Sequence, residues 1–396
     1  MAQFSAFVKT LLFKLKRITK SNSYIPEIDG LRFLAILPVI IQHLSERLIN
    51  YYPREISQSI EANSLVYFTS RGTIGVFIFF ALSGFILSLP IANQLINGKL
   101  DFNLKKYYIR RFTRIEPPYI FWMSVFVIVL LIQGDTMPGE LLKGWLASVL
   151  YMHNIIYQNY SIINPIAWSL EIEIQFYILA PFLAMLFFSI KNQIVRRLIL
   201  LLSIIGIITI QNYFGWVYLP FKLTLLGQAH YFLIGFLVAD FYISGDLSKC
   251  KSHWYDWVGI ASFYIMMISW SEEYIKNLVF SSALFVVFIS AYKGPLLNML
   301  FRNKWIITIG GMCYTIYLIH LPLLEFQFKL TRSLIVFESF GLNFLLQIMI
   351  ALPLILIVTI LSYLFIEKPF MNPNWASSLW DSTKSINIHK IWQQVK

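Results

Sequence analysis

The sequence predicts an all-α fold, a polytopic membrane bundle of about ten transmembrane helices with both termini in the cytoplasm. Three observations predict it. Of the 396 residues, 58% are hydrophobic and 13% are charged, whereas a soluble chain keeps about a quarter of its residues charged. The apolar runs are long enough to cross a bilayer repeatedly. Lysine and arginine are divided unequally between the gaps that separate these runs.

Ten apolar segments predict the spans, which are 31–49, 73–93, 115–133, 167–190, 197–213, 220–243, 255–270, 274–292, 305–328 and 342–366. The segment 142–157 is short for a span, so we interpret it as interfacial. The first apolar run, 4–15, is interrupted by Lys9 and Lys14 and predicts a basic amphipathic segment on the membrane surface. The chain then divides into a cytoplasmic basic segment, 1–23, a transmembrane domain, 24–370, and a cytoplasmic tail, 371–396.

Basic residues predict the orientation. Alternate gaps on one side hold 23 of the 32 lysines and arginines, and the gaps on the other side hold 8. The positive-inside rule therefore puts both termini in the cytoplasm. Because the net charge of +12 is spread over many loops, it does not predict a nucleic-acid surface. The histidines show no metal-ligand spacing, so we expect no metal.

The first span carries both an arginine and a histidine. Arg32 and His43 are eleven residues apart, so they differ by roughly 20° around a helix and stand about 16 Å apart along it. Ionisable groups within a membrane helix are costly unless they line a polar cavity. A snorkelling arginine with a structurally satisfied histidine explains the pair as well as a functional site does.

In the second span, the small residues Gly72, Gly75, Ser83 and Gly84 favour a helix-packing face. Arginines cluster where the third span begins, at Arg110, Arg111 and Arg114. Guanidinium groups bind phosphate oxygens bidentately, which suits a phosphorylated donor. Anchoring to lipid head groups is the simpler explanation of the cluster taken alone.

The fourth span places Glu171 and Glu173 in an otherwise apolar and aromatic segment. Glu173 shares a helix face with Tyr177, and a buried carboxylate favours a functional role. We expect Glu171 to lie nearer the surface. In the ninth span, Tyr317 and His320 belong to a polar strip that His320 ends at a depth similar to that of His43.

Three further charged or polar residues have simpler interpretations. Glu367 and Lys368, at the end of the last span, predict an interfacial ion pair. His230 is interpreted as a core histidine that its neighbours satisfy.

Six motifs in order across positions 28–370 resemble the acyltransferase family 3, the membrane-embedded O-acyltransferases of bacterial surface glycans. They are IDGLRFLAILPVIIQH, GVFIFFALSGF, RRFTR, WSLEIEIQFY, YTIYLIH and IEKPF. Two positions depart from the family pattern. Phe77 stands where aspartate is frequent, and Glu116 stands where an aromatic residue is common.

The resemblance implies transfer of an acyl group, expected to be acetyl, from cytoplasmic acyl-coenzyme A to a glycan hydroxyl, in the bacterial inner membrane. It implies donor binding by Arg32, Arg111 and Arg114, and catalysis by His43 as general base or acyl-histidine. Glu173 and His320 would orient the acceptor or tune His43. The resemblance also implies acceptor-binding or structural roles for Trp168, Ser169, Tyr177 and Tyr317.

Two other classes of function are kept as alternatives. A transporter or flippase for a lipid-linked glycan also uses intramembrane ionisable residues, but it predicts internal repeats and discontinuous helices, and the sequence shows no clear sign of either. A membrane scaffold without enzymatic activity gives no reason for Arg32 and His43 to share a helix face. The expected partners are acyl-coenzyme A, a glycan or lipid-linked glycan acceptor and membrane lipid.

Overall fold

The computed structural model describes residues 10–17, 24–52, 63–98, 102–337, 339–371 and 375. Helices and their connections make up the described residues, and no strand occurs among them. The helices are α1 (Pro26–Ile49), α2 (Ser64–Thr69), α3 (Ile74–Ile96), α4 (Leu104–Gln133), α5 (Pro138–Val149), α6 (His153–Tyr157), α7 (Trp168–Phe188), α8 (Gln193–Tyr213), α9 (Leu225–Ile243), α10 (Trp254–Ser269), α11 (Tyr274–Lys293), α12 (Pro295–Phe301), α13 (Lys304–Gly311), α14 (Cys313–Thr331), α15 (Phe340–Ser362) and α16 (Lys368–Phe370).

Single helical turns connect some of these elements. Three 3-10 turns lie at Pro165–Ala167, Phe221–Leu223 and Arg332–Leu334, and a π-helical turn, Tyr363–Glu367, joins α15 to α16. Most of the predicted segments 1–23 and 371–396 lies outside the described residues. Of the first, residues 10–15 are helical.

The prediction of a helical membrane protein is confirmed, but the count of ten spans is not. Within the described ranges, eight helical segments are long and apolar enough to cross a membrane, or nine if one bent pair forms a single span. Each of the ten predicted spans has a corresponding helix. The seventh, α10, has only 16 residues, which at the usual rise extends about 24 Å. The interfacial segment 142–157 falls on the short helices α5 and α6.

The ninth span is broken. α13 and α14 meet at an angle of 70° after Gly311, and paired small residues are a frequent cause of sharp helix kinks. Gly310 also packs against α1, since a Cβ there would lie 1.8 Å from the Asp29 carbonyl oxygen. The sequence shows no clear sign of a discontinuous helix, whereas the structure contains this bent pair. The break is a tertiary feature that hydropathy alone does not reveal.

Gly75 and Gly84 of α3 pack against neighbouring helices as predicted. A Cβ at Gly75 would lie 1.9 Å from the carbonyl oxygen of Ala35 in α1, and one at Gly84 would lie 2.0 Å from that of Phe232 in α9. Helix backbones can approach this closely only where a side chain is absent. α3 is thereby held between α1 and α9, and the face of α3 that carries Ser83 meets α7.

Candidate active site

A pair of histidines joins α1 to α14. The Nδ1 atom of His43 lies 2.9 Å from the Nε2 atom of His320, and their rings stack with centroids 5.1 Å apart. His320 is fully buried, whereas His43 is half-buried. The sequence left open whether Glu173 or His320 is the partner of His43, and the structure places His320 there.

A backbone contact defines the tautomers of both rings. The Nδ1 atom of His320 lies 2.7 Å from the carbonyl oxygen of Tyr317. Because a carbonyl only accepts, a neutral His320 carries its proton on Nδ1 and presents Nε2 as an acceptor. His43 then donates from Nδ1, which leaves the Nε2 lone pair of His43 free. The chain from Tyr317 through His320 therefore orients one defined atom of His43 for chemistry.

A cavity with an empty volume of about 930 Å³, including its open mouth, lies between α1, α3, α4, α7 and α14. Four arginines line it, namely Arg17, Arg32, Arg111 and Arg114. The three arginines that the resemblance assigned to donor binding thus share one cavity. Arg110 of the same cluster is exposed and does not line it. Arg17 was not predicted to line a donor site, because it belongs to the basic segment 1–23, outside the predicted transmembrane domain.

Buried carboxylates hold two parts of the arginine cluster. Asp29 accepts from Arg32 at 2.5 Å and from Arg17 at 3.2 Å through the same oxygen. Glu367 is fully buried, accepts from Thr315 at 2.5 Å and lies 3.8 Å from Arg114. These contacts fix guanidinium groups at the cavity wall.

The predicted ion pair between Glu367 and Lys368 is wrong. The ammonium of Lys368 donates to the carbonyl oxygen of Lys14 instead, whereas Glu367 faces Arg114. Adjacent residues on a helix point in different directions, so the two charges cannot face each other.

Glu173 also lines the cavity, but it forms its hydrogen bonds with residues other than the two histidines. Its Oε1 atom accepts from Ser83 and, at 2.5 Å, from the hydroxyl of Tyr177. The interpretation of Ser83 as a packing residue therefore misses a polar contact that crosses from α3 to α7. Glu171 is buried in the protein and accepts from the backbone N–H of Asn154 at 2.8 Å, in the segment 142–157.

Tyr317 connects the cavity to the histidine pair. Its hydroxyl donates to the carbonyl of Ile166 at 2.8 Å and so accepts from Ser169 at 2.6 Å. The side chains of Tyr317 and Ser169 line the arginine cavity, while the carbonyl of Tyr317 holds His320. Trp168, by contrast, is buried with its ring edge-on to that of Phe80, 6.2 Å between centroids, a packing contact.

Comparisons with known proteins show the family. The sequence model of the acyltransferase 3 family, described as an acyltransferase domain, matches residues 25–366. The chain belongs to this family. The family predicted from the six ordered motifs is confirmed.

Two relatives with curated names come from Staphylococcus aureus. O-acetyltransferase OatA of strain NCTC 8325 is 27% identical over 344 residues, which cover 78% of this chain and 53% of OatA. A protein of strain MRSA252, SAR0937, whose O-acetyltransferase name is provisional, is 26% identical over 402 residues, 92% of this chain and 61% of that protein. The chain thus spans about half the length of the OatA relatives. No solved structure matches it.

Proposed function

We propose that the protein is an O-acetyltransferase of the bacterial inner membrane. It takes an acetyl group from acetyl-coenzyme A on the cytoplasmic side and transfers it to a hydroxyl of a surface or periplasmic glycan. The observation that carries the proposal is the pair of adjoining features that share Tyr317. One is a cavity lined by four arginines, and the other is a histidine whose free Nε2 is oriented by a second histidine.

Each feature suits one half of the reaction. Guanidinium groups at the cavity wall bind the phosphates of the donor. The excess of basic residues in the gaps on the same side of the membrane as the termini supports a cytoplasmic mouth for this cavity. The neighbouring Ser169, Glu173 and Tyr177 supply hydroxyl and carboxyl groups along the wall, which fits the polar amides of the pantetheine arm.

In the direct route, the acceptor hydroxyl attacks the thioester carbonyl while the Nε2 atom of His43 takes the hydroxyl proton. The C–S bond breaks, the coenzyme A thiolate leaves and the proton on His43 neutralises it. His320 stabilises the imidazolium only if its Nε2 keeps accepting from His43, which its bond to the Tyr317 carbonyl ensures. In the second route, Nε2 itself attacks the thioester carbonyl, the C–S bond breaks and the coenzyme A thiolate leaves, so that an acyl-histidine forms. The acceptor hydroxyl then attacks the acyl group, the N–C bond breaks to restore the Nε2 lone pair, and the hydroxyl proton neutralises the thiolate.

The test uses the full chain in lipid nanodiscs. We expect wild-type protein to bind coenzyme A and to consume acetyl-coenzyme A. His43→Ala should retain binding and lose turnover, because the lost atom is the base or nucleophile and not a phosphate ligand. Arg111→Gln should weaken binding by about tenfold or more, since a hydrogen bond to a charged group is worth about 1.5–3 kcal/mol.

Matched variants control both results. Arg110→Gln removes the neighbouring exposed arginine, and His253→Ala removes a histidine that is 68% exposed in a loop. Both should behave as wild type. Loss of an acetyl mass from surface glycan in cells that carry His43→Ala, with the variant present in the membrane, would identify the acceptor. If wild-type protein neither binds coenzyme A nor consumes acetyl-coenzyme A, the proposal fails.

One observation favours a second function. The break between α13 and α14 gives the discontinuous span that transporters use at their binding sites, so a flippase for a lipid-linked glycan remains the alternative. If the protein is a flippase, neither wild type nor His43→Ala should turn over acetyl-coenzyme A, and His43→Ala should abolish translocation of the glycan. Acetyl transfer by the purified wild-type protein would exclude that explanation of His43.

A further inference from the structure

The described part of the N-terminal segment packs against the bundle. Leu15 is 3% exposed and belongs to an apolar cluster with Ile36 and Tyr363. The carbonyl of Lys14 accepts from the ammonium of Lys368 beyond the π-helical turn. One apolar contact and one polar contact therefore fix residues 14 and 15 against two helices, and they determine where the next residues lie.

These contacts of residues 14 and 15 place Arg17 in the wall of the arginine cavity. Its guanidinium shares the Oδ1 atom of Asp29 with Arg32, at 3.2 Å and 2.5 Å. The Nε atom of Arg17 is buried and has no hydrogen-bond partner among the described residues. A buried donor without a partner is costly, and this donor belongs to a residue of the cavity wall.

The charges of the wall are not balanced. Four arginines line the cavity, and the carboxylates that line or contact them are Asp29, Glu173 and Glu367. Arg111 pairs with no carboxylate within the described ranges, and its guanidinium lies 5.9 Å from the ring of Tyr177. Positive charge that is partly withdrawn from water and exceeds its protein partners favours an anionic ligand.

We infer that Arg17 binds a phosphate of the donor, so that the N-terminal segment forms part of the donor site. This inference rests on the proposed function. Arg17 lies outside residues 25–366, which the family model matches, so the transferase domain of this chain is completed by a segment that precedes it. Asp29 positions Arg17 and Arg32 side by side, and the Nε donor of Arg17, which has no partner among the described residues, provides the additional hydrogen bond.

The experiment compares a donor that has phosphates with one that has none. Full-length protein in nanodiscs is assayed with acetyl-coenzyme A and with acetyl-pantetheine. Arg17→Gln should lower kcat/KM for acetyl-coenzyme A by about tenfold through KM. It should leave kcat/KM for acetyl-pantetheine unchanged. Arg17→Lys should recover part of the loss, because it retains the charge, and Lys16→Gln, at the exposed neighbour, should behave as wild type.

If the role of Arg17 is purely structural, Arg17→Gln should lower kcat/KM equally for both substrates or should lower kcat. Either result overturns the inference. Titration of coenzyme A by calorimetry separates this inference from the proposed function. If wild-type protein binds coenzyme A but transfers no acetyl group, the proposed function fails and the affinity of Arg17→Gln decides the role of Arg17. If wild-type protein does not bind coenzyme A, both fail.

Discussion

The hydrogen bond between the two histidines gives the most direct test of the site. His320→Leu fills a similar volume with an apolar side chain but removes the Nε2 acceptor, which lies 2.9 Å from His43. The Nδ1–H of His43 then loses its partner, and the ring can turn or change tautomer. An unpaired polar group of this kind costs about 1–3 kcal/mol. At about 1.4 kcal/mol for each factor of ten, that corresponds to a loss of about 5- to 150-fold in turnover.

The assay is steady-state release of coenzyme A from acetyl-coenzyme A by purified protein, with coenzyme A affinity measured in parallel. We expect kcat to fall by about 5- to 150-fold, as the cost of the unpaired N–H implies, while affinity stays within twofold. His320→Gln is the matched variant, because its amide oxygen can accept from His43. It should retain more activity than His320→Leu.

The reasoning would be refuted if His320→Leu, folded and present at normal levels, turned over within threefold of wild type. It would also be refuted if His320→Leu lost coenzyme A affinity in proportion to turnover. In that case His320 would support the donor cavity rather than His43.

Three other outcomes follow from the structure. Tyr317→Phe should lower the free energy of unfolding by about 1–2 kcal/mol, since the hydroxyl bridges two partners. It should leave the pH dependence of turnover unchanged, because the backbone carbonyl of residue 317 still accepts from His320. A shifted pH profile would contradict this. Gly75→Ala should lower the melting temperature, since its Cβ would lie 1.9 Å from a carbonyl oxygen of α1, whereas Gly206→Ala, with nothing within 4 Å, should not. The hydrogen bond from Arg197, at 2.6 Å, lowers the pKa of Asp246 from 3.8 to about 2. The stabilisation by this pair is therefore complete above about pH 4 and is lost as the pH falls through about 2. Asp246→Asn should lower the free energy of unfolding at pH 7 by less than about 1 kcal/mol, and the difference from wild type should vanish near pH 2.

The sequence determined the class of the molecule and the identity of most site residues. Apolar runs predicted helices that the structure contains, because the hydrophobic length of a span is a local property of the chain. The expense of an ionisable group within such a run singled out His43, Glu173 and His320 for the same local reason. Their order along the chain, with the arginine motif, was enough to identify the family.

Only the tertiary structure decided which of these groups meet. His43 and His320 are 277 residues apart and on different helices, and no spacing along the chain predicts their contact. Judged by its predicted depth in the membrane, Glu173 was an equally good candidate partner for His43. Close helix packing at Gly84 and the hydrogen bond from Ser83 hold it in the arginine cavity instead.

The errors have the same origin. Glu367 was paired with its neighbour in sequence and Arg17 was left on the membrane surface, since a hydropathy pattern gives depth but not direction around a bundle. The kink between α13 and α14 and the docking of Leu15 supply those directions. Local composition therefore fixes what lies within the membrane, and the packing of distant helices fixes which polar groups face one another there.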